Sequence, residues 1–194
     1  MIRQAEKKDK TEIVSCILDA FDKNFAEFIS QIGKEKVRRF LEDSIRTDCF
    51  YIMERDGEAI GVTAVSDSES RALAHVKESA RKNFGFIIGG LMYRANFKEF
   101  ETNYCDSKNV GYIEFVAIKQ KFQNQGMASA MLSEILFKTD FEIYLLDVVD
   151  TNLAAIRCYE KIGFSEIRRE KVRFSKQKGF QEKIFMEYKE TENE

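Results

Sequence analysis

The chain has 194 residues, 44% hydrophobic and 33% charged, with 31 Lys and Arg against 33 Asp and Glu. That balance excludes the basic stripe of a nucleic-acid-binding surface and a polybasic membrane anchor. No apolar run approaches the roughly 20 residues of a membrane-spanning helix. Cys16, Cys49, Cys105 and Cys158 are scattered, and His75 is the only histidine. This pattern holds no metal constellation and lacks the histidine base of most serine and cysteine hydrolases. The length predicts one domain over residues 1–194. An N-terminus without signal-peptide pattern, and cysteines without disulfide spacing, predict a cytoplasmic protein with reduced thiols.

Met1 to Ala5 reads as a first strand. Ile13, Val14, Ile17, Leu18 and Phe21 recur at helical spacing, and Val37, Phe40, Leu41 and Ile45 mark a second helix over Lys34 to Ile45. Cys49 to Glu54 and Ala59 to Val65 read as strands joined at Asp56-Gly57, a hairpin turn pair. After a polar loop, residues 67–109 read as a helical insertion. A short helix is expected over Lys77 to Asn83 and a longer one over Phe86 to Phe100, with Gly89-Gly90 inside it. Each glycine weakens a helix by roughly 1 kcal/mol relative to alanine, so the pair marks a kink or a close contact. The insertion has three readings: padding of a sheet edge, a wall of a substrate site with Phe86 and Tyr93 taking part, or a homodimer contact.

Val110 to Ile118 is an apolar strand. It leads through Gln123-Asn124-Gln125-Gly126-Met127-Ala128 into a helix with apolar residues at Ala128, Met131, Leu132, Ile135 and Leu136. A strand that turns through glycine into a helix N-terminus leaves backbone N–H groups without intrahelical partners, which suits a pyrophosphate. The loop has neither the three glycines of a dinucleotide fingerprint nor the Gly-Lys-Ser/Thr of a P-loop. Leu145 to Val149 is the next strand. A helix follows, with Asp150 or Thr151 as N-cap, Asn152 in its first turn, and Gly163-Phe164 after it. A strand reaching Val172 and Phe174, a turn over Ser175 to Gly179, a closing strand over Gln181 to Tyr188 and a polar tail from Lys189 complete the chain.

Two residues on these elements could move protons. Strand alternation puts Glu114 on the face of Tyr112, Val116 and Ile118. A carboxylate among apolar neighbours has its charged form disfavoured, which suits a general base; the alternative is a buried ion pair or a solvated edge residue. Tyr159 is either a proton donor or a packing aromatic.

Gln123-x-x-Gly126-x-Ala128 resembles the Arg/Gln-x-x-Gly-x-Gly/Ala signature of the GCN5-related N-acetyltransferases. Asn152-x-x-Ala155-x-x-x-Tyr159-x-x-x-Gly163-Phe164, following a strand, resembles the family's second cofactor motif. The likeness is close from Val110 to Phe164, looser over the first 66 residues and the C-terminal hairpin, and absent over residues 67–109. It implies an α/β fold with a mixed twisted central sheet flanked by helices. It also implies acetyl-CoA as cosubstrate and acetyl transfer to a primary amine on a small molecule or peptide, by direct attack in a ternary complex. By resemblance, Gln123, Asn124, Gln125, Gly126, Met127, Ala128 and Asn152 contact the cofactor, and the backbone of Val116, Ala117 and Ile118 pairs with its pantetheine arm. Glu114 would be the base and Tyr159 the acid that protonates the leaving thiolate. The chain departs from the family in having no proline ahead of the loop, where it reads Lys119-Gln120-Lys121-Phe122. Gln123 and Gln125 also stand where Arg or Lys is often found, so binding would lean on backbone N–H groups and the helix dipole. The rivals are a non-catalytic acyl-CoA-binding module and an interaction protein that works through its insertion.

Overall fold

The computed structural model describes residues 1–172, 175 and 179–189. The expected strand end at Phe174, most of the expected turn after it and the tail beyond Lys189 lie outside the described residues. The strands are β1 (Ile2–Gln4), β2 (Phe50–Arg55), β3 (Glu58–Ser66), β4 (Val110–Ile118), β5 (Ile143–Val149), β6 (Ser165–Lys171) and β7 (Glu182–Lys189). They form one mixed sheet in the order β1-β2-β3-β4-β5-β7-β6. Among the described residues only the β4–β5 pair is parallel. The β2–β3 hairpin turns at Asp56 and Gly57, both at positive φ (52° and 78°), the conformation that Asp-Gly accommodates.

Helices cover both faces of the sheet. On one face lie α1 (Lys10–Ala20), α2 (Asp22–Ile32), α3 (Lys34–Ser44) and α4 (Val76–Phe84). Ile13, Val14 and Ile17 of α1 and Val37 of α3 are fully buried there against Phe50, Ile52 and Val62 of the sheet. On the other face α6 (Met127–Lys138) and α7 (Leu153–Ile162) bury Leu132 and Tyr159 against Ile113, Leu146, Ile184 and Met186, and α6 buries Met131 and Ile135 against Ile2, Val65 and Ile118. Among the described residues no helix is long and apolar enough to cross a membrane.

The sequence reading expected two helices before the hairpin; there are three. The additional one, α2, carries Phe25, Phe28, Ile29 and Ile32 at helical spacing, half-buried against the α1–α3 core. Gly33 (φ 95°) ends it and lets α3 start at once. Phe28 meets Phe84 and Phe97 edge-on, with ring centroids 5.4 and 5.6 Å away, so α2 and the segment after β3 close over one another.

The single helix expected over Phe86 to Phe100 is broken. Helix α5 (Phe86–Met92) passes into a π-helical turn at Tyr93–Phe97 and a 3₁₀ turn at Lys98–Glu101. Gly89 marks a close contact, because a Cβ there would stand 2.2 Å from the Ala80 carbonyl oxygen of α4. Gly90 has room, its nearest neighbour being the Arg81 side chain at 3.4 Å. Gly89→Ala is therefore expected to cost about 1–3 kcal/mol through overpacking against α4 backbone. Gly90→Ala is expected to be neutral or to stabilise by up to about 1 kcal/mol. Urea unfolding of the two variants measures the contrast, and equal effects would show that helix propensity alone decides.

Candidate active site

The site begins with a fault in β4. Ala64 of β3 stands opposite Glu114, but Val62 stands opposite Ala117, so Thr63 faces two residues of β4. This is a β-bulge, and Phe115 takes it up at φ 55°, a left-handed conformation costly for a bulky side chain. Its ring is held between Phe50 and Phe100, at centroid distances of 5.8 and 6.0 Å. Beyond the Tyr112–Leu145 pair, β4 and β5 no longer pair and the sheet splays.

The bulge also swaps the faces of β4. Before it, Ile113 packs toward α6 and α7; after it, Val116 and Ile118 do so. Tyr112, Phe115 and Ala117 pack toward the opposite face, and Glu114 joins Arg71 beside Tyr112. The expected common face for Glu114, Val116 and Ile118 is thus incorrect, because alternation does not survive an extra residue.

A cleft of about 620 Å³ opens at the splay. Val116, Ile118, Gln123, Asn124, Gly126, Met127, Ala128 and Asn152 line it, with Glu114 and Tyr159 at its inner end. Two expected cofactor residues stand apart from it. The Ala117 side chain is buried in the α1–α3 core, and exposed Gln125 donates to the Lys121 carbonyl at 3.0 Å. Gln123 donates to the Ile118 carbonyl at 2.8 Å, so its amide braces the loop. Gly126 (φ 76°) is the N-cap of α6 and provides no side-chain cap, and a Cβ built on it meets nothing within 4 Å. Met127, Ala128 and Ser129 line the cleft, and the first N–H groups of α6 have no partner among the described residues, an arrangement that fits a pyrophosphate. Asn152, rather than Asp150 or Thr151, is the N-cap of α7. Its Oδ1 accepts from the Ala155 N–H at 3.2 Å, which leaves its NH₂ for a ligand.

At the inner end of the cleft, the expectation that Glu114 sits among apolar neighbours fails. Its carboxylate accepts from Arg71 Nη2 at 2.7 Å, Arg71 Nε at 3.2 Å, the Ala72 N–H at 3.0 Å and the Ser66 hydroxyl. Both partners are about nine-tenths buried. The Arg71 guanidinium also lies 5.3 and 5.1 Å from the ring centroids of Tyr104 and Tyr112. Burial opposes its charge, and the hydrogen bonds and charge of Glu114 more than offset that, holding Arg71 above its ordinary range.

Tyr159 is buried, and among the described residues its hydroxyl makes no hydrogen bond. Desolvation first, then the neighbouring Cys158 and Asp147 charges, push its ionisation above the ordinary tyrosine range, so it stays protonated. The sequence reading missed Asp147, Lys183 and Glu99, which also border the cleft. Lys183 Nζ lies 3.1 Å from Asp147 and 3.2 Å from Glu99, and the Tyr112 hydroxyl donates to Asp147. The expected contributors Phe86 and Tyr93 are elsewhere. Phe86 is 71% exposed with the Arg81 guanidinium over it, and Tyr93 is tied to Glu101.

Removing one partner of the Glu114–Arg71 pair strands a buried charge. Arg71→Leu is expected to cost about 3–5 kcal/mol, and Arg71→Leu with Glu114→Leu is expected to recover part of that loss. A loss below about 1 kcal/mol in urea unfolding of the single variant would place the pair with ordinary solvated ion pairs.

Residues 17–164 match the acetyltransferase (GNAT) family. A comparison with curated proteins finds no match. Among solved structures, an N-acetyltransferase from Staphylococcus aureus Mu50 is similar with a TM-score of 0.66 and 17% identity, over 97% of this chain and 100% of that one. A GNAT-family acetyltransferase from Streptococcus agalactiae 2603 is similar with 0.62 and 15%, over 99% and 96%. The ribosomal-protein-S18-alanine N-acetyltransferase from Escherichia coli is similar with 0.56 and 17%, over 100% and 97%. These neighbours share the mixed α/β fold, and the family match covers the stretch from β4 to the end of α7: the chain belongs to the acetyltransferase (GNAT) family.

Proposed function

We propose that the protein transfers the acetyl group of acetyl-CoA to a primary amine by direct attack in a ternary complex. The observation that carries this reading is the junction at the splay. A second cavity on the opposite face of the sheet, lined by Arg71, Phe100, Tyr104 and Tyr112, shares Glu114, Phe115 and Asp147 with the cleft beside α6. Two ligands can thus enter from opposite faces and meet between β4 and β5.

On this reading the N–H groups at the start of α6 and the Asn152 amide hold the pyrophosphate end, and the unpaired edge of β4 at Val116 and Ile118 receives the pantetheine arm. The amine nitrogen bonds to the thioester carbon, the C–S bond breaks, and sulfur keeps the electron pair. One proton leaves the ammonium for solvent before attack. A second leaves nitrogen as the amide forms, and the thiolate takes up one proton from the Tyr159 hydroxyl, which the second proton restores. Glu114 already accepts four donors, three on Oε1 and one on Oε2, and its charge is paired with the buried Arg71 guanidinium. We therefore assign it the holding of Arg71 and the strand end, and assign the first deprotonation to water.

Acetyl-CoA at 100 times its Kd should stabilise the protein by about 2.7 kcal/mol. Gly126→Glu should abolish that shift in a folded protein, since the new side chain brings a like charge to the phosphate cradle; a retained shift removes this loop as the cofactor site. Tyr159→Phe should lower kcat by about 10² or less and keep the acetyl-CoA shift. Glu114→Gln should lower stability yet keep the acidic limb of the pH–rate profile, and a flattened limb would return the base role to Glu114. Thiol release from acetyl-CoA across an amine panel reads both variants, and cofactor binding without any turnover would mark a binding module instead.

A further inference from the structure

The cavity on the insertion side encloses about 270 Å³, small for a ligand site. Half of its lining is aromatic: Phe21 and Phe25 from the α1–α2 region, Phe100 and Tyr104 from the insertion, and Tyr112 and Phe115 from β4. Five charged groups complete most of the rest and pair with one another, while Arg71 Nη1 is buried without a hydrogen-bond partner among the described residues. Arg71 is taken by Glu114, and Lys183 lies between Asp147 and Glu99. Two cations face three carboxylates, so one negative charge is left uncompensated. Desolvation works against the Lys183 charge, but Asp147 and Glu99 more than offset it and hold it as an ammonium, which is no nucleophile. Asp147 accepts the Tyr112 hydroxyl on one oxygen and faces Lys183 with the other, so each oxygen keeps an acceptor position. Asp147 also borders the cofactor cleft, where the reacting carbon would arrive.

We propose that this cavity is the acceptor site, and that it selects a small primary amine, charged in solution, on an aromatic or apolar body. Asp147 receives the ammonium beside Lys183, Glu99 closes the mouth, and the rings take the body. Rings offer both apolar area and attraction for a cation. One spare negative charge matches one ammonium. A polyamine would bring several charges to walls that offer a single match, and a polypeptide would need its backbone N–H and C=O groups paired by walls that are half rings and whose charged groups already pair with one another. The proposal rests on the acetyl-transfer reading but names groups which that reading does not require. Asp147 is here a specificity-determining residue, outside the proton steps assigned above.

The test has a binding arm and a turnover arm. In the first, 2-phenylethylamine and 2-phenylethanol are titrated into the cofactor-free protein by calorimetry or NMR. The ammonium should bind at least about tenfold more tightly than the alcohol, as the loss of a charged hydrogen bond requires. Asp147→Asn keeps the acceptor for Tyr112 and should erase that preference. In the second, thiol release from acetyl-CoA is followed with 2-phenylethylamine, spermidine and an alanine-led peptide. The aromatic amine should have the highest kcat/KM, and Asp147→Asn should raise its KM about tenfold or more, with little change in kcat or in the acetyl-CoA shift. If Asp147→Asn does not fold, Glu99→Gln at the partly exposed mouth serves in its place, with a smaller rise in KM. Better turnover of spermidine or the peptide overturns the proposal while the acetyl-transfer reading stands, and so does an unchanged KM in the folded variant. Selective amine binding without an acetyl-CoA shift retains the site and overturns the acetyl-transfer reading. Loss of both binding and shift overturns both.

Discussion

One residue in a costly backbone conformation organises this molecule. Phe115 stands at positive φ in the middle of β4. Such a residue costs of order 1–3 kcal/mol and persists only where its surroundings over-determine it. Here Phe50 and Phe100 hold the ring from either side, and β3 pairs with β4 on both sides of the bulge. Three consequences follow from that one extra residue. The β4–β5 pairing stops, so the sheet opens where two ligands can meet. The backbone beyond the bulge is left without a partner on its β5 side. The faces exchange, so one strand sends Glu114 to one side of the sheet and Val116 and Ile118 to the other.

The electrostatics of the junction obey the same geometry. Opening a sheet exposes its interior polar groups to a poorly solvated space, where an unpaired charge is expensive. The protein answers with short committed pairs. Arg71 spans from the loop after β3 to Glu114 and lies against two tyrosine rings, and Lys183 ties Asp147 of β5 to Glu99 of the insertion. The second tie crosses from the sheet to the segment that covers it. The insertion is thus fixed at its 3₁₀ turn by charge and at Phe97 by packing against Phe28 and Phe40. Its α5 face, with Phe86, Ile87 and Leu91, points outward.

What the sequence made legible was local. The spacing of Ala128, Met131, Leu132 and Ile135 identified α6, Asp56-Gly57 identified the hairpin, and the order of motifs from Gln123 to Phe164 identified the family and the sheet type. Helix α2 was legible too, since Phe25, Phe28, Ile29 and Ile32 carry the same periodicity. The surroundings of Glu114 were not legible. Its partner Arg71 is 43 positions away, in a polar loop without periodicity, and no local pattern pairs the two. Alternation misassigned Val116 and Ile118 because Phe115 has no sequence mark of a bulge; glycine would have been the usual sign. Asp147 and Lys183 likewise belong to different strands of the C-terminal half, and only the β5–β7 register, which sets Lys183 opposite Val149, makes them diagonal neighbours.

The phosphate loop shows how far a cradle can be built from backbone alone. The lysines nearest to it are already engaged: Lys119 with Glu12 and Glu58, at 2.8 and 3.4 Å, and Lys121 with Glu58 at 2.8 Å. Gln123 and Gln125 spend their amides on the carbonyls of Ile118 and Lys121. These bonds do for the loop what a proline does elsewhere: they fix its path without adding charge. Attraction for an anion then falls to oriented N–H groups and the dipole of α6, whose reach is about one helical turn. Such a site recognises a pyrophosphate by the geometry of its donors at contact. It offers little long-range pull, so shape at the splay, more than net charge, has to decide what stays.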